Sequence, residues 1–167
     1  MDTVSIRKMR NDEVELCADV IRNGFATVAN EFGLTLENCP TNGAFMSAER
    51  LKSEIKKGNF MYVLCEGDKI TGFMELEKIN ENRVELQKIT VLPAYRHNGY
   101  GKKMLDFARK QASELGGSCL TIGIIEENTV LKEWYVKNGF VHSGTRVFDH
   151  LPFTVGFLYL DLTDGAL

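Results

Sequence analysis

The sequence predicts an α+β fold with a mixed, mostly antiparallel central sheet flanked by helices. Residues 59–66, 69–78 and 83–92 are strand-like runs joined by short turn segments, which favours an antiparallel meander. A helical pattern separates the last of them from an apolar run at 118–125, and a strand–helix–strand order implies a parallel pair. Further helical patterns precede the meander and follow that run. The predicted order is β-α-α-β-β-β-α-β-α-β-β.

The N-terminal third is predicted to hold one strand and two helices. Residues 3–9 alternate as a strand does, and apolar residues at spacings of three and four then indicate a helix up to Glu31. Ser47 fits the N-cap of a second, short helix that ends at Gly58. Residues 32–46, between the helices, have no clear period and contain turn formers, so no regular element is predicted there.

The C-terminal half continues the alternation of helices and strands. Apolar residues from Met104 to Leu115 share one face of a helix that ends at the glycine pair 116–117. Residues 128–138 form another short helical pattern, which a glycine also ends. The last two strand-like runs, FVHSGTRVF and FTVGFLYLDL, are predicted to form a hairpin around DHLP.

Length and composition predict one globular domain, residues 1–167. Of the 167 residues, 44% are hydrophobic and 26% charged, which is near the average for globular proteins. The net charge of −3 lacks the basic excess that drives nucleic-acid binding, so no nucleic-acid partner is expected. No apolar signal segment opens the chain and no run approaches about 18 apolar residues, so no membrane partner is expected.

The four cysteines indicate reduced thiols and a cytoplasmic location. Cys17, Cys39, Cys65 and Cys119 form no C-x-x-C pair and no Cys/His cluster, so neither a metal nor a disulfide framework is expected. Cys65 and Cys119 fall inside predicted buried strands, where thiols are usually inert. A cysteine nucleophile is therefore not predicted.

The segment YRHNGYGKKML, residues 95–105, indicates a ligand. Pro93 ends the preceding strand, and Gly99 and Gly101 stand at the start of the next helix. Glycine lets backbone approach a ligand closely, and the unpaired N–H groups of a helix N-terminus bind phosphate groups. The nearby cations are Arg96, Lys102 and Lys103, with His97 as a fourth candidate. Cations oppose the helix dipole there, so they predict an anionic ligand, a pyrophosphate more readily than a carboxylate. A tight turn with solvated lysines is the alternative.

Two signatures resemble those of the GCN5-related N-acetyltransferase (GNAT) superfamily. Residues 91–101 follow the spacing V-x-P-x-x-R-x-x-G-x-G, which is similar to that family's acyl-CoA-binding signature. Residues 127–140, ENTVLKEWYVKNGF, resemble its second signature through Asn128, Tyr135 and a following Gly-Phe pair. The resemblance is strongest over residues 84–140 and implies an acyl-CoA N-acyltransferase fold.

The resemblance implies an N-acetyltransferase that moves an acetyl group from acetyl-CoA to a primary amine, by direct attack in a ternary complex and without a metal. Tyr135 would protonate the departing thiolate, because a phenol with a reference pKa of about 10 stays protonated at neutral pH. Core packing would also explain Tyr135, and N-capping would also explain Asn128. The implied cofactor-binding residues are Ile89, Thr90, Val91, Arg96, His97, Asn98, Gly99, Tyr100, Gly101, Lys102 and Asn128.

The sequence does not single out the general base. An ammonium group cannot attack a thioester until it has lost a proton. The carboxylate candidates are Glu75, Glu77, Glu85, Glu126 and Glu127. Glu85 leads this set as the second catalytic residue, although a water chain can also do the work.

Acceptor selection in the family falls to the first two helices, the segment between them and the last hairpin. Here the irregular parts are residues 32–46 and 148–153. Glu31, Glu37 and Asp149 would attract a cationic amine there, and solvated loop charges are the alternative explanation. The resemblance covers small-molecule and peptide amines alike. Homodimers are frequent in the family, so a homodimer is also an expectation.

Other functions stay open at the level of the sequence. A CoA-binding sensor or regulatory module without transferase activity would keep the same loop. A protein acetyltransferase acting on N-termini or lysines would keep both signatures. The loop would also suit another phosphorylated ligand, such as a nucleotide.

Overall fold

The computed structural model describes residues 3–163, so the predicted domain limits, 1 and 167, lie outside the described residues. The strands are β1 Val4–Lys8, β2 Phe60–Glu66, β3 Lys69–Lys78, β4 Arg83–Val91, β5 Cys119–Ile125, β6 Val141–Val147 and β7 Thr154–Asp161. The helices are α1 Val14–Glu31, α2 Ala48–Lys56, α3 Tyr100–Glu114 and α4 Thr129–Lys137. The predicted α+β element order is confirmed.

Helix boundaries follow local signals in the sequence. The Ser47 side chain accepts a hydrogen bond from the Arg50 backbone N–H at 3.1 Å, as its predicted N-cap role requires. Residues 11–13 form a separate 3₁₀ turn before α1. Helix α3 begins at Tyr100, one turn before its apolar stripe, directly after Gly99 in the left-handed region. The loop glycines therefore lie at the helix start itself.

The described strands form one sheet in the order β1-β2-β3-β4-β5-β7-β6. Strands β2 to β4 make the predicted antiparallel meander, and β1 pairs antiparallel with β2 at its edge. Strand β5 pairs with β4 in parallel, as the strand–helix–strand order requires. Strands β6 and β7 form the final hairpin, and β7 is the one that pairs with β5.

Helices cover both faces of the sheet. Helix α3 buries Met104, Leu105 and Ala108 against β2–β5 and β7, together with Tyr135 from α4. Helices α1 and α2 bury a second apolar layer against β2 and β3 on the opposite face. No helix within residues 3–163 is long and apolar enough to cross a bilayer.

Candidate active site

Strands β4 and β5 diverge after a short paired stretch. Parallel pairing joins residues 83–85 to residues 119–121, although β4 continues to Val91 and β5 to Ile125. A cavity of about 510 Å³ opens along the diverging halves. Gln87 and Ile89 line it from β4, and the end of β5 lines it from the other side. Beyond residue 85, the edge of β4 that faces β5 therefore has no strand partner within residues 3–163.

The register of β4 decides which backbone groups face the cleft. Leu92 donates its N–H to the Thr71 carbonyl of β3 at 2.8 Å. Because N–H and C=O groups alternate sides along a strand, Thr90 also bonds toward β3, where it stands opposite Phe73. Ile89 and Val91 then direct their backbone groups into the cleft.

Thr90 belongs to the packing between β4 and α1 rather than to the cleft. It is buried, and a Cβ placed on Gly24 of α1 would lie 2.1 Å from its Oγ1. Of the three β4 residues predicted to hold the cofactor, Thr90 is turned away by strand alternation. The prediction that Thr90 binds the cofactor is therefore not supported, because alternate residues of 89–91 face opposite sides of the strand.

The loop before α3 has the backbone conformation of an anion site. His97 and Gly99 have positive φ angles of 65° and 78°. The first turn of α3 then leaves its N–H groups without intrahelical partners. Gly101 permits a close contact with α4, because a Cβ there would lie 3.0 Å from the Trp134 ring. The second loop glycine thus fixes where α4 sits against the helix start.

Arg96 ties the loop to α1 instead of pointing into the loop. Its Nε donates to the Val91 carbonyl at 2.9 Å, and its Nη2 donates to the Gly24 carbonyl at 2.7 Å. Its Nη1 donates to Thr27 Oγ1 at 3.3 Å. Burial lowers the pKa of Arg96 from its ordinary value. The guanidinium is therefore engaged by protein groups, which assigns it to loop positioning rather than to direct cofactor contact.

The other predicted loop residues have mixed surroundings. The Asn98 side chain donates to the Tyr95 carbonyl at 3.2 Å and is exposed. The Tyr100 hydroxyl donates to the Glu66 carboxylate. Lys102 is exposed and pairs with Asp106 at 3.2 Å, one helical turn away. An exposed pair of this kind contributes little stability, so Lys102 can exchange it for an anionic ligand.

Helix α4 brings Asn128 and Tyr135 to the cavity wall. The Asn128 side chain accepts from the Leu131 N–H at 3.2 Å, so it does cap its helix, and it also lines the cavity. Tyr135 lines the cavity as well, with 2% of its surface exposed and its ring edge-on to Trp134 and Phe140. Burial raises the pKa of Tyr135 above its ordinary value. The phenol therefore stays protonated at neutral pH.

Glu85 reaches the cavity but already has polar partners. Its carboxylate pairs with Arg83 at 3.1 Å and accepts from Gln87 Nε2 at 3.2 Å. The same Gln87 nitrogen donates to Glu77 at 2.7 Å, and Glu77 pairs with Lys57 at 2.7 Å. Among the predicted base candidates, Glu85 is the one that lines the cavity.

A buried ionic cluster lies behind the cavity wall. Residues 88 and 89 of β4 stand opposite the single residue Met74, and this bulge gives Lys88 a positive φ of 52°. Lys88 Nζ contacts Glu54 of α2 at 2.6 Å and Glu75 of β3 at 3.2 Å. Burial raises the pKa of Glu75 to about 7, although Lys88 acts against that shift. Lys88 also lines the cavity, and the sequence did not predict it as a site residue.

The remaining base candidates lie away from the cavity wall. Glu126 pairs with Lys132 at 3.0 Å and His142 at 2.7 Å. Glu127 accepts from the Thr154 N–H at 3.1 Å. Glu126 thus contacts α4 and β6, and Glu127 contacts the start of β7, so neither carboxylate is open to an acceptor in the cavity.

The two irregular segments meet at the outer end of the cavity. Cys39 and Leu34 pack with Ile125 of β5, and Leu151 and Phe153 pack onto them from the last hairpin. Residues of both segments line the cavity. The three acidic residues expected to attract the acceptor, Glu31, Glu37 and Asp149, are exposed and are not part of its lining.

Comparison with known proteins decides the family. Residues 32–140 match the sequence profile of the Acetyltransferase (GNAT) family. The chain belongs to this family. The resemblance drawn from the two signatures is thereby confirmed, and so is the class of enzyme, an N-acetyltransferase.

Relatives and solved structures of GNAT proteins extend over most of the chain. An uncharacterized N-acetyltransferase of the pepI 3′ region of Lactobacillus delbrueckii subsp. lactis is 27% identical over 135 residues, 73% of this chain and 77% of its own. The spermidine N(1)-acetyltransferase of Thermoplasma acidophilum is 25% identical over 143 residues, 83% of this chain and 88% of its own.

Among solved structures, the PaiA N-acetyltransferase of Thermoplasma acidophilum, in complex with coenzyme A, superposes with a TM-score of 0.77 at 21% identity, covering 95% of this chain and 99% of that one. The yncA acetyltransferase of Salmonella typhimurium, with its cofactor acetyl-CoA, has a TM-score of 0.71 at 17% identity, covering 98% and 96%. These likenesses confirm the GNAT fold.

Proposed function

We propose that this GNAT protein transfers the acetyl group of acetyl-CoA to a primary amine by direct attack within a ternary complex. One observation carries the proposal: β4 and β5 diverge beside Tyr135 and Asn128, and α3 begins shortly after the end of β4. The cleft and the helix N-terminus therefore follow one another. The arrangement fits an elongated ligand with an acyl end and a diphosphate. Two similar structures hold coenzyme A or acetyl-CoA, which supports the same donor here.

The cleft-facing groups of Ile89 and the N–H of Val91 would bond the pantetheine arm, with Asn128 on the opposite wall. The Val91 carbonyl already accepts from Arg96. The amides from His97 to Lys102 would hold the pyrophosphate, since glycine backbone and a helix N-terminus favour anions there.

In the reaction, the amine nitrogen forms a bond with the thioester carbonyl carbon, and the carbon–sulfur bond breaks. Tyr135 gives its proton to the departing thiolate; burial raises the pKa of the phenol and so keeps this proton in place at neutral pH until the thiolate forms. The ammonium form of the acceptor first loses a proton to a base. Glu85 is the carboxylate on the cavity wall and is our candidate for that base.

A thiol-release assay tests the function. The protein is incubated with acetyl-CoA and a panel of amino acids, polyamines and N-terminal peptides, and free CoA is followed over time. We expect release that depends on one acceptor class. Tight CoA binding without release for any amine would instead favour the sensor function, and tighter binding of ATP or NAD than of CoA would contradict the donor.

We further propose a single catalytic domain in a cytoplasmic protein. All seven described strands belong to one sheet, which supports a single domain. The four unpaired thiols support a cytoplasmic location, because disulfides are rare in reducing compartments. A homodimer stays a prediction from the family resemblance.

A further inference from the structure

The charged side chains of the cavity wall are mostly cationic. Arg50, Arg83 and Lys88 line the cavity, whereas Glu85 is the one acidic lining residue within residues 3–163. Glu85 is already paired with Arg83 at 3.1 Å and also accepts from Gln87 at 3.2 Å. A second ammonium group on the acceptor would therefore meet no unpaired carboxylate on this wall.

Arg50 is fixed in place with part of its guanidinium unused. Its Nη1 donates to the Thr41 carbonyl at 2.7 Å, and its Nε lies 3.5 Å from Glu54 Oε2. In the part of the chain that the structure describes, no protein acceptor bonds its Nη2. Because protein oxygens already hold Nη1 and Nε, the orientation of the planar guanidinium is set, and Nη2 is left to donate to a carboxylate.

Lys88 adds charge beside Arg50 but no spare donor. Glu54 takes Lys88 on one oxygen and Arg50 on the other, so the two cations flank a single carboxylate. The remaining contacts of Lys88 Nζ are Glu75 at 3.2 Å and Gln87 at 3.3 Å. Arg50 is therefore the residue of this pair that can bind an anionic group directly.

The outer part of the cavity wall is aromatic. Phe25 of α1 lines it together with Phe148, Phe153 and Phe157 from the last hairpin. Arg146 stacks on the Phe148 ring at 4.6 Å, which adds a further cation near this end. Apolar and aromatic walls of this kind favour an apolar group on the ligand.

We propose that the acceptor is an amine that also carries a carboxylate and an apolar side group, as an amino acid does, with Arg50 binding the carboxylate and the phenylalanine wall binding the apolar group. This inference rests on the proposed acetyl transfer. It separates the chain from its spermidine-acetylating relative, because a polyamine has several cations and no anion.

Matched acceptors test the inference. L-Phenylalanine, phenylalaninamide and phenethylamine differ at the carboxylate, and spermidine represents the polyamines. We expect kcat/KM to be at least about 10-fold higher for phenylalanine than for the other three. Equal or better turnover of spermidine, phenethylamine or phenylalaninamide would overturn the inference while leaving acetyl transfer intact. No transfer to any amine would overturn both.

Substitution of Arg50 is the second test of the inference. Arg50→Gln is expected to lower kcat/KM for phenylalanine about 10- to 100-fold, mainly through KM, which is the range of one charge-assisted hydrogen bond. Phenethylamine turnover and the KM of acetyl-CoA should stay within twofold of wild type. Arg50→Lys should recover part of the loss. Lys52→Gln, on the exposed side of the same helix, is the control. An equal loss for phenylalanine and phenethylamine would assign Arg50 to folding and overturn the inference.

Discussion

Lys88 Nζ lies 3.2 Å from Glu75 Oε1, and Glu75 is completely buried in the sheet face beneath α2. The Asn59 side chain donates to the other oxygen of Glu75 at 2.6 Å. Burial of a carboxylate costs free energy unless it is paired and hydrogen-bonded. The bulge places Lys88 next to Glu75 and so offsets part of the desolvation cost of this carboxylate. Lys88 thus lines the active-site cavity and also stabilises the fold.

Lys88→Met is expected to lower the free energy of unfolding by about 1–2 kcal/mol at pH 8, because the buried carboxyl of Glu75 loses its cation and keeps its proton, which costs about 1.4 kcal/mol per pH unit above its pKa of about 7. Burial raises the folded-state pKa of Glu75 to about 7, above its ordinary value of 4.5. Its ionised form therefore opposes folding, and this cost grows as pH rises from about 4.5 through 7 and is absent below that window.

Urea unfolding at pH 5 and pH 8 measures the effect. The loss in Lys88→Met should be smaller at pH 5, and adding Glu75→Gln should recover much of the loss at pH 8. A loss of the same size at both pH values would contradict the account of Glu75.

Arg96→Met is expected to destabilise the protein by about 2–4 kcal/mol, because it removes three hydrogen bonds, among them the one that the Val91 carbonyl accepts. CoA should bind more weakly, yet the ionic-strength dependence of its Kd should match that of wild type. Lys102→Met is the control, since loss of a cation at the anion site should flatten that dependence. A flatter dependence in Arg96→Met would mean that Arg96 contacts phosphate.

Gly99→Ala tests the loop backbone. Gly99 has a φ of 78° and no heavy atom within 4 Å of an added Cβ, so the substitution introduces strain without a clash. Gly58, at the end of α2, shares both properties with a φ of 104°. Both variants should lose about 1–2 kcal/mol of stability. Calorimetry should show a Kd for CoA raised at least about 10-fold in Gly99→Ala alone, and equal affinities would refute the anion loop.

Tyr135→Phe tests the proposed acid. We expect kcat to fall about 100-fold or more, because general-acid assistance is lost, while the Kd of CoA stays within twofold. Tyr159→Phe, a partly exposed tyrosine on β7, is the control. Parallel losses of turnover and CoA affinity would assign Tyr135 to packing.

The long periodic elements and the two signatures were predictable because their information is local. Ser47 caps α2 as predicted, and the loop glycines open α3. The Lys88–Glu75–Glu54 cluster was not predictable, because its residues lie on three separate elements. The bulge that brings Lys88 to the other two has no local sequence pattern. A glutamate inside the apolar run GFMEL was the available signal for a buried carboxylate.

The role of Arg96 shows a second limit of the sequence. The family spacing places an arginine beside the glycine loop, and a cation near an anion site is naturally taken as a ligand. Its partners, Gly24 and Thr27, lie some seventy positions earlier in the chain, with separations of 72 and 69 residues. Long-range hydrogen bonds of this kind are set by tertiary packing.

We propose that the cleft between β4 and β5 receives acetyl-CoA with its thioester at Tyr135. A crystal structure with bound acetyl-CoA or CoA tests this most directly. The predicted result places the sulfur within hydrogen-bond reach of the Tyr135 hydroxyl and the pyrophosphate about 3 Å from amide nitrogens of residues 97–102. A cofactor bound outside the cleft, or one whose pyrophosphate avoids the α3 N-terminus, would contradict it.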